Sequence, residues 1–220
     1  MKNICALLLI LITSCSQNPG QQQASSSDSS ATITKTTGDT PSATARTGSE
    51  LAPVPANRLI VPGKSIGLTA IGQTAEETGK NLGRPDDGDA AMGKSLSTWY
   101  SKINPAYKTQ VFSAMQMGNE ETMPRVKSIR VNNPFFETAG QLKAGSNLKE
   151  ILAKFPSLLL TGSYKSADNH TIKLYDDSEA GIAFEMDNKD ICVGINVHII
   201  GEKAFVQYLP FESSFKTIEN

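Results

Sequence analysis

The stretch "GDAAMGKS", residues 88–95, fits G-x-x-x-x-G-K-[ST], the spacing with which a glycine-rich loop cradles phosphates while its Lys and Ser meet phosphate charge and magnesium. Such a loop needs an apolar strand before it and a helix after it, so that several backbone amides converge on one anion. Here "LGRPDD" precedes it and "LSTWYS" follows. Asp86, Asp87 and Asp89 repel phosphate, and Leu96, Thr98 and Tyr100 alternate with Ser97 and Trp99 as strand residues do. The motif therefore reads as a glycine-assisted turn entering a strand, and no nucleotide partner is expected.

Other motifs weaken in the same way when their surroundings are included. "GKSIG", with Ser65 at its centre, has the G-x-S-x-G spacing of a nucleophile elbow, yet the alternating strands and helices that position such a serine are missing. S-x-x-K occurs at Ser146 and Ser213 without the S-D-N and K-T-G partners that give it meaning. On a strand beginning at Ile191, the odd positions Ile191, Val193, Ile195, Val197 and Ile199 form one apolar face. Cys192 and His198 then share the other face, roughly 20 Å apart at about 3.3 Å per residue, too far for a dyad. With His170 they are too few and too scattered for a zinc site. "RPDDGD" and "YDDSE" read as solvated acidic turns without calcium-loop spacing. No catalytic residue, cofactor or metal is expected. Phe135 and Phe136 have two readings, core or exposed patch, and are the candidate interaction surface.

The ends say where such a protein works. Lys2 precedes an apolar run over residues 4–12, near ~9 residues and well short of the ~20 that span a bilayer as a helix. Ile12, Thr13, Ser14 and Cys15 follow. They resemble the lipobox of bacterial lipoproteins, in which the cysteine thiol is diacylated, the peptide is cut before it and the new amino terminus is acylated. The resemblance implies a signal peptide over residues 1–14 and a membrane anchor at Cys15, held by two or three acyl chains at about 0.8 kcal/mol per buried methylene. Ser16 resembles an outer-membrane sorting residue, so the expected location is the cell membrane or outer membrane, on the periplasmic or extracellular side. Cys5 leaves with the signal peptide and Cys15 carries lipid, so Cys192 has no partner for a disulfide. A net charge of -1 offers no basic footprint for nucleic acid.

Residues 15–57 are rich in Ser, Thr, Ala, Gln and Pro. They cannot bury enough apolar surface to offset ordering, and they read as a tether with a root-mean-square span of roughly 35 Å. The remaining part is long enough for one folded domain with a core.

Two stretches of that part superpose at a constant offset: "SIGLTAIGQTAEETGKNLG" from Ser65 and "TAGQLKAGSNLKEILAKFP" from Thr138. Gly67 pairs with Gly140, Gly72 with Gly145, Thr74 with Asn147, Glu77 with Glu150 and Leu82 with Phe155. Thr74 and Asn147 are good N-caps, with a glutamate three residues on to complete a capping box. Leu148, Ile151, Leu152 and Phe155 form a core-facing stripe ended by Pro156, and the weaker first helix stops at Gly83. After each helix the period changes to two, predicting about three antiparallel strands per unit, with "TGSYKSADNH" as a long loop and "AFVQYLPF" as a further edge strand. The expected fold is α+β, with repeats at 58–132 and 133–212, a shared sheet, both helices on one face and a C-terminal tail at 213–220.

The lipobox, tether and tandem "G-x-x-x-x-E-[IL]-x-x-x-[FL]-[GP]" units resemble the SmpA/OmlA and β-lactamase-inhibitor-protein-like folds of bacterial envelope lipoproteins, over roughly residues 60–200. That resemblance implies a nonenzymatic role in protein binding or assembly. The alternative is a periplasmic small-ligand or glycan-binding lipoprotein with a cleft between helices and sheet, and a hydrolase stands third.

Overall fold

Thr74 and Asn147 each start a helix in the same way. The Thr74 hydroxyl accepts the Glu77 N–H at 3.2 Å while the Glu77 carboxylate accepts the Thr74 N–H at 2.8 Å, and Asn147 and Glu150 repeat the exchange at 2.9 and 3.3 Å. Each cap satisfies helix amides that have no partner within the helix. The computed structural model describes residues 52–115, 122–206 and 214–218, all within the unit Glu50–Asn220. The signal peptide, Cys15, most of the tether, residues 207–211 of "AFVQYLPF" and Ser213 lie outside the described residues.

In chain order the elements are β1 (Leu59–Val61), β2 (Ser65–Ile66), β3 (Thr69–Ala70), α1 (Ala75–Leu82), β4 (Asp87–Ala91), β5 (Lys94–Tyr100), β6 (Lys108–Ala114) and β7 (Arg125–Val131). There follow β8 (Glu137–Thr138), α2 (Leu148–Lys154), β9 (Leu159–Lys165), β10 (Thr171–Asp177), β11 (Ile182–Met186), β12 (Cys192–His198), a 3-10 turn (Ala204–Val206) and β13 (Lys216–Thr217). The fold is a mostly-sheet α+β arrangement with two sheets. The larger runs β13-β9-β10-β11-β12-β7-β6-β5-β4, and the smaller runs β3-β2-β1-β8. β7 and β12 join the two halves of the large sheet through four antiparallel pairs, from Ile195 with Val131 to His198 with Ser128.

Several expectations are corrected. α1 is followed by β4–β7 and α2 by β9–β12, one strand more in each run than expected, because "DGDAA" is strand β4 and "LLTGSYK" is strand β9. The hairpin of Met92 and Gly93 carries β4 back along β5, so its acidic residues pair although their β-propensity is low. The smaller sheet is unexpected from sequence, since its strands are two or three residues long. The edge strand beside β9 is β13, whereas residues 204–206 form the 3-10 turn.

Ile151 is fully buried, and Leu148 and Phe155 pack partly buried against the same cluster, but Leu152 is 36% exposed and leaves the stripe. A helix this short offers the core a single turn's width, and Ile151 occupies its centre. Leu82 of α1 packs against that same cluster, which holds Val126, Ile129, Phe184 and Ile195. On the opposite side of the large sheet, Ala204, Phe205 and Phe215 cover Tyr164, Ile172, Leu174 and Ala183.

A register shift between Glu185 and Met186 breaks the alternation expected in β12: Met186 faces Cys192 while Glu185 faces Gly194. One extra residue in a bulge turns the following side chains to the other face. Cys192 therefore joins Ile195 and Val197 in the helix-side core, Val193 packs in the opposite cluster, and Cys192 and His198 do not share a face.

Candidate binding cleft around Trp99

The chemical motifs find structural uses. Residues 88–95 form a strand, a two-residue turn and a strand, with positive φ at Met92 (52°) and Gly93 (75°), a type I′ hairpin in place of a strand, loop and helix. Ser65 begins β2 just after the turn at Gly63, and Ser146 Oγ accepts the Lys143 N–H at 3.1 Å. His170 lies exposed in the turn between β9 and β10, its N–H bonded to Ser166 Oγ.

Cys192 is buried, and burial pushes its thiol up to about 12, so it stays protonated and unreactive. His198 is sealed inside: Nε2 lies 3.0 Å from Asp176 Oδ1, Nδ1 lies 3.1 Å from the Ile199 carbonyl, and Asp176 Oδ2 accepts the Ala204 N–H at 2.8 Å. The pair pins the 3-10 turn onto β10 and β12 and has no surface at which to meet a substrate. Glu185, fully buried, takes both Arg130 Nε and Nη2 and the Tyr164 hydroxyl at 2.9 Å, while Arg130 Nη1 donates to Gln110. A buried carboxylate needs this many donors to offset its lost hydration.

Among the described residues, two clefts meet at Trp99, the single tryptophan of the sequence. Trp99 stands on the helix side of β5 and donates its indole N–H to the Gly83 carbonyl at 3.1 Å, where α1 ends. The first cleft, about 100 Å³, lies between α1 and the sheet. Its cause is composition: α1 offers Ala75, Thr78 and Gly79 over Ser95, Ser97 and Ser113, so small side chains face each other. Thr78 lines this cleft, and its hydroxyl is buried without a hydrogen-bond partner among the described residues.

The second cleft, about 220 Å³, is aromatic, with Trp99, Tyr100, Tyr107, Phe135 and Phe136 around it and Lys108 and Asn133 at its border. Asn133 Oδ1 accepts the Phe135 N–H at 2.9 Å, and the Phe136 N–H reaches the Asn133 carbonyl at 3.3 Å. This turn parts the two rings. Phe136 packs against the core and meets Phe135 edge-on at 5.2 Å, while Phe135 remains 45% exposed. Arg58 fixes the exposed ring, with its guanidinium 5.2 Å from the ring centroid, Nε bonded to the Phe135 carbonyl and Nη2 2.7 Å from Glu137. Lys108 Nζ lies 5.7 Å from the Tyr100 ring centroid. The β5–β6 loop, closed by the Ser101 N–H to Tyr107 carbonyl bond, carries Ile103 at 97% exposure.

The pair thus divides, with Phe136 packed against the core and Phe135 exposed. Sequence reasoning missed the rest of the aromatic cleft because its rings come from β5, the following loop and the segment before β8. The hydroxyl cleft had a local signal: Thr78 stands where the second helix has Ile151.

These features define a mostly-sheet α+β domain. No family model and no curated protein matches the chain. Among solved structures, it is similar to a DUF4309 family protein, YjgB, from Bacillus subtilis, with 10% identity over 62% of this chain and 88% of that one, at a TM-score of 0.38.

Proposed function

We propose that the chain is a nonenzymatic, lipid-anchored protein of the bacterial envelope, whose two tandem α+β units present a surface for another envelope protein. The repeat is supported by paired hydrogen bonds. The Gly72 N–H reaches the Val126 carbonyl and the Gly145 N–H reaches the Cys192 carbonyl, each at 2.8 Å. The Val126 N–H to Gln73 carbonyl and Cys192 N–H to Ser146 carbonyl bonds, also 2.8 Å, return from the same strands. The anchor rests on Cys15 and the residues before it.

The observation that carries the binding role is the fixed, outward ring of Phe135. Arg58, Asn133 and Phe136 hold it in one orientation while it stays partly open to water beside Tyr100 and Tyr107. Rigid aromatic rings bury large area at little entropic cost when a partner arrives, which is why they recur as interface anchors.

A photo-crosslinking residue in place of Ile103, in cells, tests this reading. The expected result is one discrete protein adduct that disappears when Phe135→Ser is added while the domain keeps its melting temperature. An adduct pattern indifferent to Phe135→Ser overturns the reading of the cleft. Fatty-acid labelling tests the anchor separately, since Cys15→Ala should abolish label and membrane association together.

A further inference from the structure

We propose that the groove where β1, β8 and the end of α2 meet is a binding site for a single-chain anionic amphiphile, a long-chain fatty acid, with its alkyl chain along the groove and its carboxylate at Lys154. The groove shares no lining residue with the cleft of Trp99 and Phe135, and it does not depend on the protein contact proposed there.

The groove follows from the way the small sheet ends. β1 and β8 run parallel for two rungs only, Leu59 with Glu137 and Ile60 with Thr138. On one side Pro62 has no N–H with which to extend the ladder. On the other the chain turns back at Gln141, whose N–H bonds to the Thr138 carbonyl at 2.8 Å. Val61 and Pro62 therefore stand across a gap from Ala139 and Gly140, and Phe155 at the end of α2 supplies the third wall. The Phe155 ring is held by Phe184, with 5.4 Å between centroids, so this wall is in place before a ligand arrives. The gap measures about 380 Å³, within the roughly 300–1,000 Å³ of small-molecule sites, whereas the two clefts at Trp99 measure about 220 and 100 Å³.

The lining sets the class of ligand. Its surface is carbon almost throughout, which favours an alkyl chain over a sugar or a peptide whose polar groups would lose their hydration there. Thr138 and Lys154 bring the polar side chains. Thr138 is 4% exposed and its hydroxyl already accepts the Leu142 N–H at 3.1 Å, which leaves Lys154. The lysine stem lies beside Gly140, where a Cβ would stand 3.7 Å from Cδ and 3.8 Å from Cε. Its ammonium has no acidic partner among the described residues, since Glu137 of β8 pairs with Arg58 and Lys143. One cation at the rim of an apolar groove matches one chain that ends in one negative charge. A diacyl phospholipid brings a second chain, and acyl chains carried by Cys15 would have no charged end, so neither uses both features.

The test reconstitutes the full-length protein in phosphatidylcholine vesicles, adds palmitate carrying a photoreactive diazirine, and maps the adducts by mass spectrometry. Saturable labelling is expected on the peptides that hold Pro62 and Phe155. Unlabelled palmitate should displace it, and hexadecanol, the same chain without the charge, should compete about tenfold less well at equal mole fraction in the vesicles. Lys154→Met keeps the stem and removes the charge, so it should weaken labelling about tenfold and abolish the preference for palmitate over hexadecanol. Gly140→Leu fills the groove and should abolish labelling while the melting temperature is kept, because a Cβ at this position meets only ordinary contacts. Absence of saturable labelling in the groove, labelling indifferent to Lys154→Met, or displacement by hexadecanol or lysophosphatidylcholine as effective as by palmitate would each overturn the proposal. So would a photo-crosslinking residue at the exposed Ala139 that captures, in cells, another protein or the chain's own acyl group in place of added fatty acid.

Discussion

Gly194 lies against the Glu185 carboxylate so closely that a Cβ at position 194 would stand 2.6 Å from Oε2 and 3.0 Å from Arg130 Nη2. The two residues face each other across β11 and β12, so the absent side chain is the space in which the buried ion pair sits. Gly194→Ala should destabilise the domain by about 1–3 kcal/mol through overpacking. Glu185→Ala should cost about 3–5 kcal/mol, because it leaves Arg130 mostly buried without its carboxylate. Urea unfolding measures both, and a Gly194→Ala midpoint equal to the parent's would remove the steric account.

The second helix supports a sharper comparison. Ile151 is fully buried and Leu152, one residue on, is 36% exposed. Ile151→Ala should cost about 2–5 kcal/mol, whereas Leu152→Ala should stay under about 1 kcal/mol. Equal losses would mean that the helix is rotated from the position described.

This pair also marks how far sequence reading reaches. The caps at Thr74 and Asn147 were legible because a capping box is a local pattern, complete within four residues. Leu152 was not, because a stripe predicted from spacing is wider than the contact α2 makes. Cys192 went to the wrong face because one bulge opposite Glu185 reverses every alternation before it. The exposed strand β4 was hidden by its composition, Asp, Gly, Asp, Ala, Ala, in which only the Met92–Gly93 turn and its pairing with β5 impose extension. The aromatic cleft was half legible: Phe135 and Phe136 stood out as neighbours, but nothing local brings them to Trp99, Tyr100 and Tyr107.

Thr78 carries a buried hydroxyl on the sheet-facing side of α1. Thr78→Val keeps the shape of the side chain and removes the buried hydroxyl that lacks a partner among the described residues, so it should stabilise the domain by about 1 kcal/mol. Thermal unfolding should show a raised Tm. A lowered Tm would show that the hydroxyl is already satisfied.

Cys192 gives the alkaline behaviour a direction. Burial, the largest influence, raises its thiol from an ordinary value near 9 to about 12 in the folded protein. Between those values the unfolded chain has lost the proton and the folded chain still holds it, so unfolding releases a proton and stability falls as pH rises from about 9 towards 12. Below that window the contribution of this thiol is constant. Cys192→Ala should flatten this part of the alkaline slope while lowering stability at neutral pH through the small cavity it leaves. A thiol reagent at pH 8 provides the direct check: Cys192 should react only as fast as the domain opens, and full reactivity in the first minutes without denaturant would contradict its enclosed position.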